Sequence, residues 1–234
     1  MRHLLSALLL SILAAPTLAA DFSRVYNGDE LIHGTLNSAA DGGCGTLLFN
    51  SDGSYENGYA WKYHGIVPPD YGSFAECFTV DYSVVCSAVF DFTQVGFQGD
   101  ATMDVFLWDD AGGVPGNVIC TLFGVQPGTI AIWPNLSRHT IPIVCECFDG
   151  AFWVGYWANW PGGFAHWYVG ADLDGPGGCP LTNVAPGIGF PTGWTNVSQI
   201  WGPTQALGIG CETVDCSPVP VRESSFGEVK RLYR

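Results

Sequence analysis

Residues 102–108 read Thr-Met-Asp-Val-Phe-Leu-Trp and run directly into Asp-Asp-Ala-Gly-Gly-Val-Pro-Gly-Asn at 109–117. Met103, Val105 and Leu107 alternate with Thr102, Asp104, Phe106 and Trp108. Side chains of a strand point to opposite faces with a period of two. The pattern therefore predicts a strand with one apolar face on a core and a mixed face outward. The glycines and Pro115 that follow predict a turn, since glycine accepts positive φ and proline fixes its own. Upstream, Val-Val-Cys-Ser-Ala-Val-Phe-Asp-Phe at 84–92 repeats the alternation. Val84, Cys86, Ala88, Phe90 and Phe92 share one face, and Val85, Ser87, Val89 and Asp91 the other. Neither segment is apolar on both faces, which points to an antiparallel rather than a parallel sheet.

Working outward, 31 glycines and 15 prolines separate short runs rich in Val, Ile, Phe, Tyr, Trp and Thr. Strands are expected at 46–49, 74–80, 84–92, 102–108, 118–123, 139–144, 151–158, 164–171 and 206–210. Asp81-Tyr82-Ser83 reads as a turn, and 172–203 as a long Gly/Pro-rich loop anchored by Phe190, Trp194, Ile200 and Trp201. The expected fold is all-β, an antiparallel jelly-roll-like β-sandwich over 21–211. The strand–WDDAGGVPGN–strand pattern resembles one found in jelly-roll domains of bacterial surface proteins and secreted peptidases, the cleaved-adhesin type among them. The resemblance covers a short part of the chain. It implies that fold and an extracellular habit, and it transfers no active site.

Both ends differ from the body. Residues 1–20 read as a signal peptide, with Arg2 and His3, an apolar run at 4–15 and small residues before Asp21. That run is shorter than the roughly 20 apolar residues a bilayer-spanning helix needs, and no later segment is long and apolar enough to span. Residues 212–223 read as a Pro-rich linker. Residues 224–234 read as a short amphipathic helical tail, with Ser225 and Glu228 as a capping box and Lys230, Arg231 and Arg234 at its C-terminal end. This tail is similar to the S-[FW]-G-x-[IV]-K-x-L-Y-[RK] ending of exported proteins of environmental Gram-negative bacteria. That likeness implies a sorting or docking element, with sorting machinery as its partner.

Nine cysteines in an exported chain predict a disulfide framework and an oxidising location: periplasmic, extracellular or on the cell surface. Cys77 and Cys86 are expected to pair across a hairpin turning at 81–83. Cys211 and Cys216 are expected to close a small loop. Cys120 is expected to meet Cys145 or Cys147. Cys44 and Cys179 sit in Gly-rich loops and stay unassigned, and the odd count leaves at least one thiol over. Cys145-x-Cys147 alone lacks the further ligands of a zinc site.

Function is less legible. With 8 Lys and Arg against 22 Asp and Glu, the net charge is −14, which speaks against nucleic acid and anionic membranes as partners. The aromatic stretch 151–170 offers a hairpin on which Trp157, Trp160, Phe164, His166 and Tyr168 are the candidate ligand-binding residues. Flat rings present π faces to the C–H faces of sugars, so a glycan or surface polymer is the expected partner. The competing reading is core residues and cross-strand pairs. Asp109-Asp110 and Asp172-Leu-Asp174-Gly are candidates for a structural calcium, although Pro176 falls where the next calcium ligand would stand. Solvated turn aspartates are the default reading of these residues. His33, His64, His139 and His166 are scattered, G-x-S-x-G is lacking, and no carboxylate pair of a glycoside hydrolase can be placed. The expectation is a non-enzymatic binding module without cofactor. Its rivals are an assembly subunit of an extracellular coat or matrix and, behind that, a hydrolase.

Overall fold

The structure is a computed structural model that describes residues 21–28, 32–36, 43–62, 70–96, 98–158 and 165–216. The expected signal peptide, most of the expected linker and the expected C-terminal tail lie outside the described residues, as do Trp160, Phe164 and His64.

The chain forms strands β1 (Asp21–Arg24), β2 (Gly34–Leu36), β3 (Thr46–Phe49), β4 (Ser54–Tyr55), β5 (Asn57–Lys62), β6 (Phe74–Thr93), β7 (Met103–Asp110) and β8 (Pro115–Val125). It continues through β9 (Asn135–Pro142), β10 (Phe148–Ala158), β11 (Tyr168–Asp172), β12 (Leu181–Val184), β13 (Gly193–Asn196), the one-turn helix α1 (Ser198–Trp201), β14 (Ala206–Leu207) and β15 (Ile209–Asp215). The fold is an all-β sandwich. Among the described residues the pairing is antiparallel apart from β2 with β9 and the bridge Gln94–Ile132, which are parallel.

β6 is the spine. Its first half pairs with β10, and its second half pairs with β9 on that same edge, while β12, β15 and β11 follow one another along its other edge. The expected turn at Asp81-Tyr82-Ser83 does not form, and the strand runs straight through it. Val80 still pairs with Gly150, and Ser83 with both Phe148 and Asp215. Two ladders hold the backbone extended there, and local turn preference yields to them.

Alternation survives on β7, where Met103, Val105 and Leu107 enter the main core. On β6 it is interrupted. Glu212 pairs with Ser87 but Thr213 with Val85, so a bulge falls at Cys86. One extra residue reverses the parity, and Val85 joins Ala88, Phe90 and Phe92 in the core. The expected mixed face of β7 is also covered. Phe106 and Trp108 are buried with Ala75, Trp153 and Leu181 in a second apolar cluster, packed by Trp194. The cover is β12 and β13, a hairpin inside the stretch expected to be an irregular loop. Gly155 lets β10 lie close to β6 here, because a Cβ on it would sit 2.0 Å from the Phe74 carbonyl oxygen.

Four disulfides join Cys44–Cys86, Cys77–Cys179, Cys120–Cys145 and Cys147–Cys216. Cys77 and Cys86 do not pair with each other, because both lie on the one unbroken strand β6. Nor do Cys211 and Cys216. Cys211 is a free thiol, fully buried, and burial pushes its pKa up. β15 carries the sandwich through Asp215, and Cys216 is tied to Cys147, so the folded unit extends past the expected boundary at 211.

A buried ion pair links β6 to its partner β9. Asp91 is fully buried and accepts two bonds from Arg138, 2.8 Å from Nε and 2.7 Å from Nη2. It also accepts the Tyr55 hydroxyl at 2.5 Å. The guanidinium lies over the Phe49 ring, 4.5 Å from its centroid.

Glu76 is a second buried carboxylate. Its oxygens accept from Asn50 Nδ2 and the amides of Cys179 and Leu207 at 2.9, 2.9 and 2.7 Å. Burial dominates these donors and raises its pKa from an ordinary 4.5 to about 7. Between these two values the folded state holds a proton that the unfolded state has released. Stability from this group is therefore full below about pH 4.5 and is lost as the pH rises through 7. A pH series of urea denaturations should show a fall on the order of 3 kcal/mol over that window. Glu76→Gln should flatten it, and an unchanged slope in that variant would assign the pH dependence elsewhere.

Candidate functional site

The aromatic hairpin divides between two environments. Phe152 and Tyr156 point into the main core, and Trp153 and Trp157 point to the opposite face. Trp153 opposes Trp108 across the β10–β7 ladder and donates its Nε1–H to Asp110 Oδ1 at 2.9 Å. It is therefore a covered cross-strand pair. Trp157, four residues further along the same face, is half-buried. Its Nε1–H donates to the Tyr71 carbonyl at 3.0 Å, which fixes the ring.

That ring walls a cleft of about 110 Å³ that, among the described residues, Thr102, Met103 and Asp104 also line. Asp104 opposes Trp157 in the ladder, and its Oδ1 accepts the Gly124 amide at 2.7 Å. Asp70, next to Tyr71, lies close enough to respond to it. Its pKa is raised first by burial and then by the charge of Asp104. Asp70 also holds φ at 55°, a left-handed conformation uncommon for a non-glycine residue and more often met in Asp and Asn than in bulkier ones. Its carbonyl accepts from the Ser73 amide and hydroxyl at 3.1 and 2.7 Å.

His166 is tied to a residue of a second hollow. It bonds the Gln98 carbonyl through Nδ1 at 2.7 Å, and Gln98 to Ala101 line a space of about 260 Å³ with Gln126, Gly128 and Thr129. Segment 98–104 thus connects His166 to Trp157. Tyr168 does not share this surface. It is 4% exposed and its hydroxyl lies 3.1 Å from Ser23 Oγ, so it presents no ring to a ligand. The sequence reading overlooked Asp70 and Asp104 because neither sits in a motif, and the long separation of 70 from 157 hid their proximity.

The expected metal ligands fall into two places. Asp109 accepts the Asn117 amide and side chain, and Asp110 accepts the Gly112 and Gly113 amides. These carboxylates organise their turn. Asp172 and Asp174 do come together, and Glu56, which the sequence did not single out, joins them. One carboxylate oxygen from each of the three lies within 4.8 Å of the others. Calcium takes roughly six to eight oxygens. Here Asp172 already accepts from the Asp52, Asp174 and Gly175 amides, and Glu56 from the Leu173 amide at 2.7 Å and faces His33 Nδ1 at 2.8 Å. The carboxylates therefore bind the loop itself. Cys44, Cys86 and Glu212 also converge, but both sulfurs are in a disulfide and are not thiolate ligands.

No protein-family model, curated protein or solved structure matches the chain. The four disulfides point to an oxidising, non-cytoplasmic compartment. No helix among the described residues is long and apolar enough to cross a membrane.

Proposed function

We propose that the chain is an exported carbohydrate-binding module whose site is the Trp157 cleft. The observation that carries this reading is the pairing of a fixed, half-buried indole with a carboxylate across a small open cleft. A sugar ring has an apolar C–H face, which suits the indole, and hydroxyl donors, which suit the acceptors Asp104 and Thr102. The net charge of −14 disfavours anionic polymers, so the ligand class is a neutral glycan. Assembly through an intermolecular disulfide is disfavoured, because the free cysteine, Cys211, is buried.

Retention of the protein by insoluble neutral polysaccharides tests the reading. Trp157→Ala should lose at least about ten-fold in affinity, the order expected of one good stacking contact, while its denaturation curve stays cooperative. Equal retention of wild type and variant, or no retention of wild type, would sink the proposal.

A further inference from the structure

The most exposed aromatic side chain among the described residues is Phe123, at 73%. A single exposed apolar residue is ordinary. Its position gives this one a meaning. The Phe123 ring meets Phe106 edge-on, with centroids 6.3 Å apart and planes at 89°. Phe106 lies on the face of β7 opposite the main core, buried in the same cluster as Trp108 and Trp153. Asp104 is two residues earlier on β7 and so projects from that same face. Trp157 opposes Asp104 from β10, and the amide of Gly124, next to Phe123, donates to Asp104 Oδ1. Trp157, Asp104 and Phe123 therefore stand in a row on three adjacent strands, β10, β7 and β8. Two strand spacings separate the aromatic residues, about 10 Å.

We infer that Phe123 is a second stacking platform, and that the ligand is a linear neutral polysaccharide laid across the strands rather than a single sugar or a chain end. This rests on the carbohydrate reading of the Trp157 cleft. The distance is one that a disaccharide repeat bridges. Asp104 stands between the platforms, and a carboxylate has about four acceptor positions, so it takes sugar hydroxyls as well as the Gly124 amide. β8 carries no charged residue from Pro115 to Val125, and among the described residues it pairs with β7 alone. The row is thus open at the sheet edge, where a polymer can continue past it. An apolar, uncharged edge beside an acceptor in an acidic chain suits an uncharged polyhydroxylated polymer.

The test is calorimetric titration of the full mature protein with cello-, manno- and chito-oligosaccharides from disaccharide to hexasaccharide. Wild type should gain affinity with chain length for one of these series, then reach a plateau. Phe123→Ala should lose that gain, roughly three- to ten-fold on the longer members, with little change on the disaccharide. Phe123→Leu keeps the apolar bulk without the π face and should behave like Phe123→Ala. Both substitutions are at an exposed position, so folding is retained. If both variants match wild type at every length, the second platform is overturned while the Trp157 cleft stands. If leucine restores the gain, stacking is overturned. If wild type binds no member of any series, the underlying carbohydrate reading fails and this inference fails with it.

Discussion

Arg138→Met lowers stability by about 3–5 kcal/mol, seen as a fall in the urea midpoint at unchanged slope. Asp91 is fully buried, and Arg138 supplies two of its hydrogen bonds and its counter-charge. Removing the guanidinium leaves a carboxylate in a low-dielectric interior with only the Tyr55 hydroxyl as partner. The loss is one of desolvation without compensation. It should therefore shrink when the carboxylate is removed too, as in an Asp91→Asn, Arg138→Met double variant. Arg138→Lys should fall between, since an ammonium supplies the charge but not the planar pair of donors. If Arg138→Met unfolds at the wild-type midpoint, the ion pair is energetically idle and the Phe49 contact with it.

The second large effect concerns the disulfide that spans the most sequence. Cys77–Cys179 closes a separation of 102 residues and Cys120–Cys145 one of 25. A cross-link acts mainly by limiting the unfolded chain, and the chain-entropy relation gives about 4.7 kcal/mol for the longer loop against about 3.5 for the shorter. Replacing Cys77 and Cys179 together by alanine should thus cost more than replacing Cys120 and Cys145. The longer tether also holds the Cys179 amide on Glu76, and that packing adds to its cost. Urea midpoints of the two double variants decide the matter. A larger loss from the 25-residue link would mean that native contacts, not loop length, set the ranking.

Period-two patterning made the strands legible, because burial enforces it along each strand. Met103, Val105 and Leu107 on one side and Phe106 and Trp108 on the other could be assigned from sequence. What the pattern could not carry was the partner of each strand. Cys77 and Cys86 read as a hairpin because Asp81-Tyr82-Ser83 is locally a good turn. Two non-local ladders override that preference, and no local signal records them. The bulge at Cys86 was equally hidden, since one residue of slip leaves the composition unchanged. For the same reason β12 and β13 passed for loop. Their strand character comes from covering Trp108 and Trp153, not from their own Gly- and Pro-rich surroundings. The candidate site followed suit. Trp157 announced itself by residue type. Asp104 and Asp70 became meaningful only when tertiary pairing placed them beside it.

β6 has a consequence for how the gene can change. A strand whose two halves have different partners shares its register with five of them, and deleting one codon within 74–93 would turn side chains over in both halves of the sandwich at once. Length changes should therefore be tolerated in the connections far better than within this stretch.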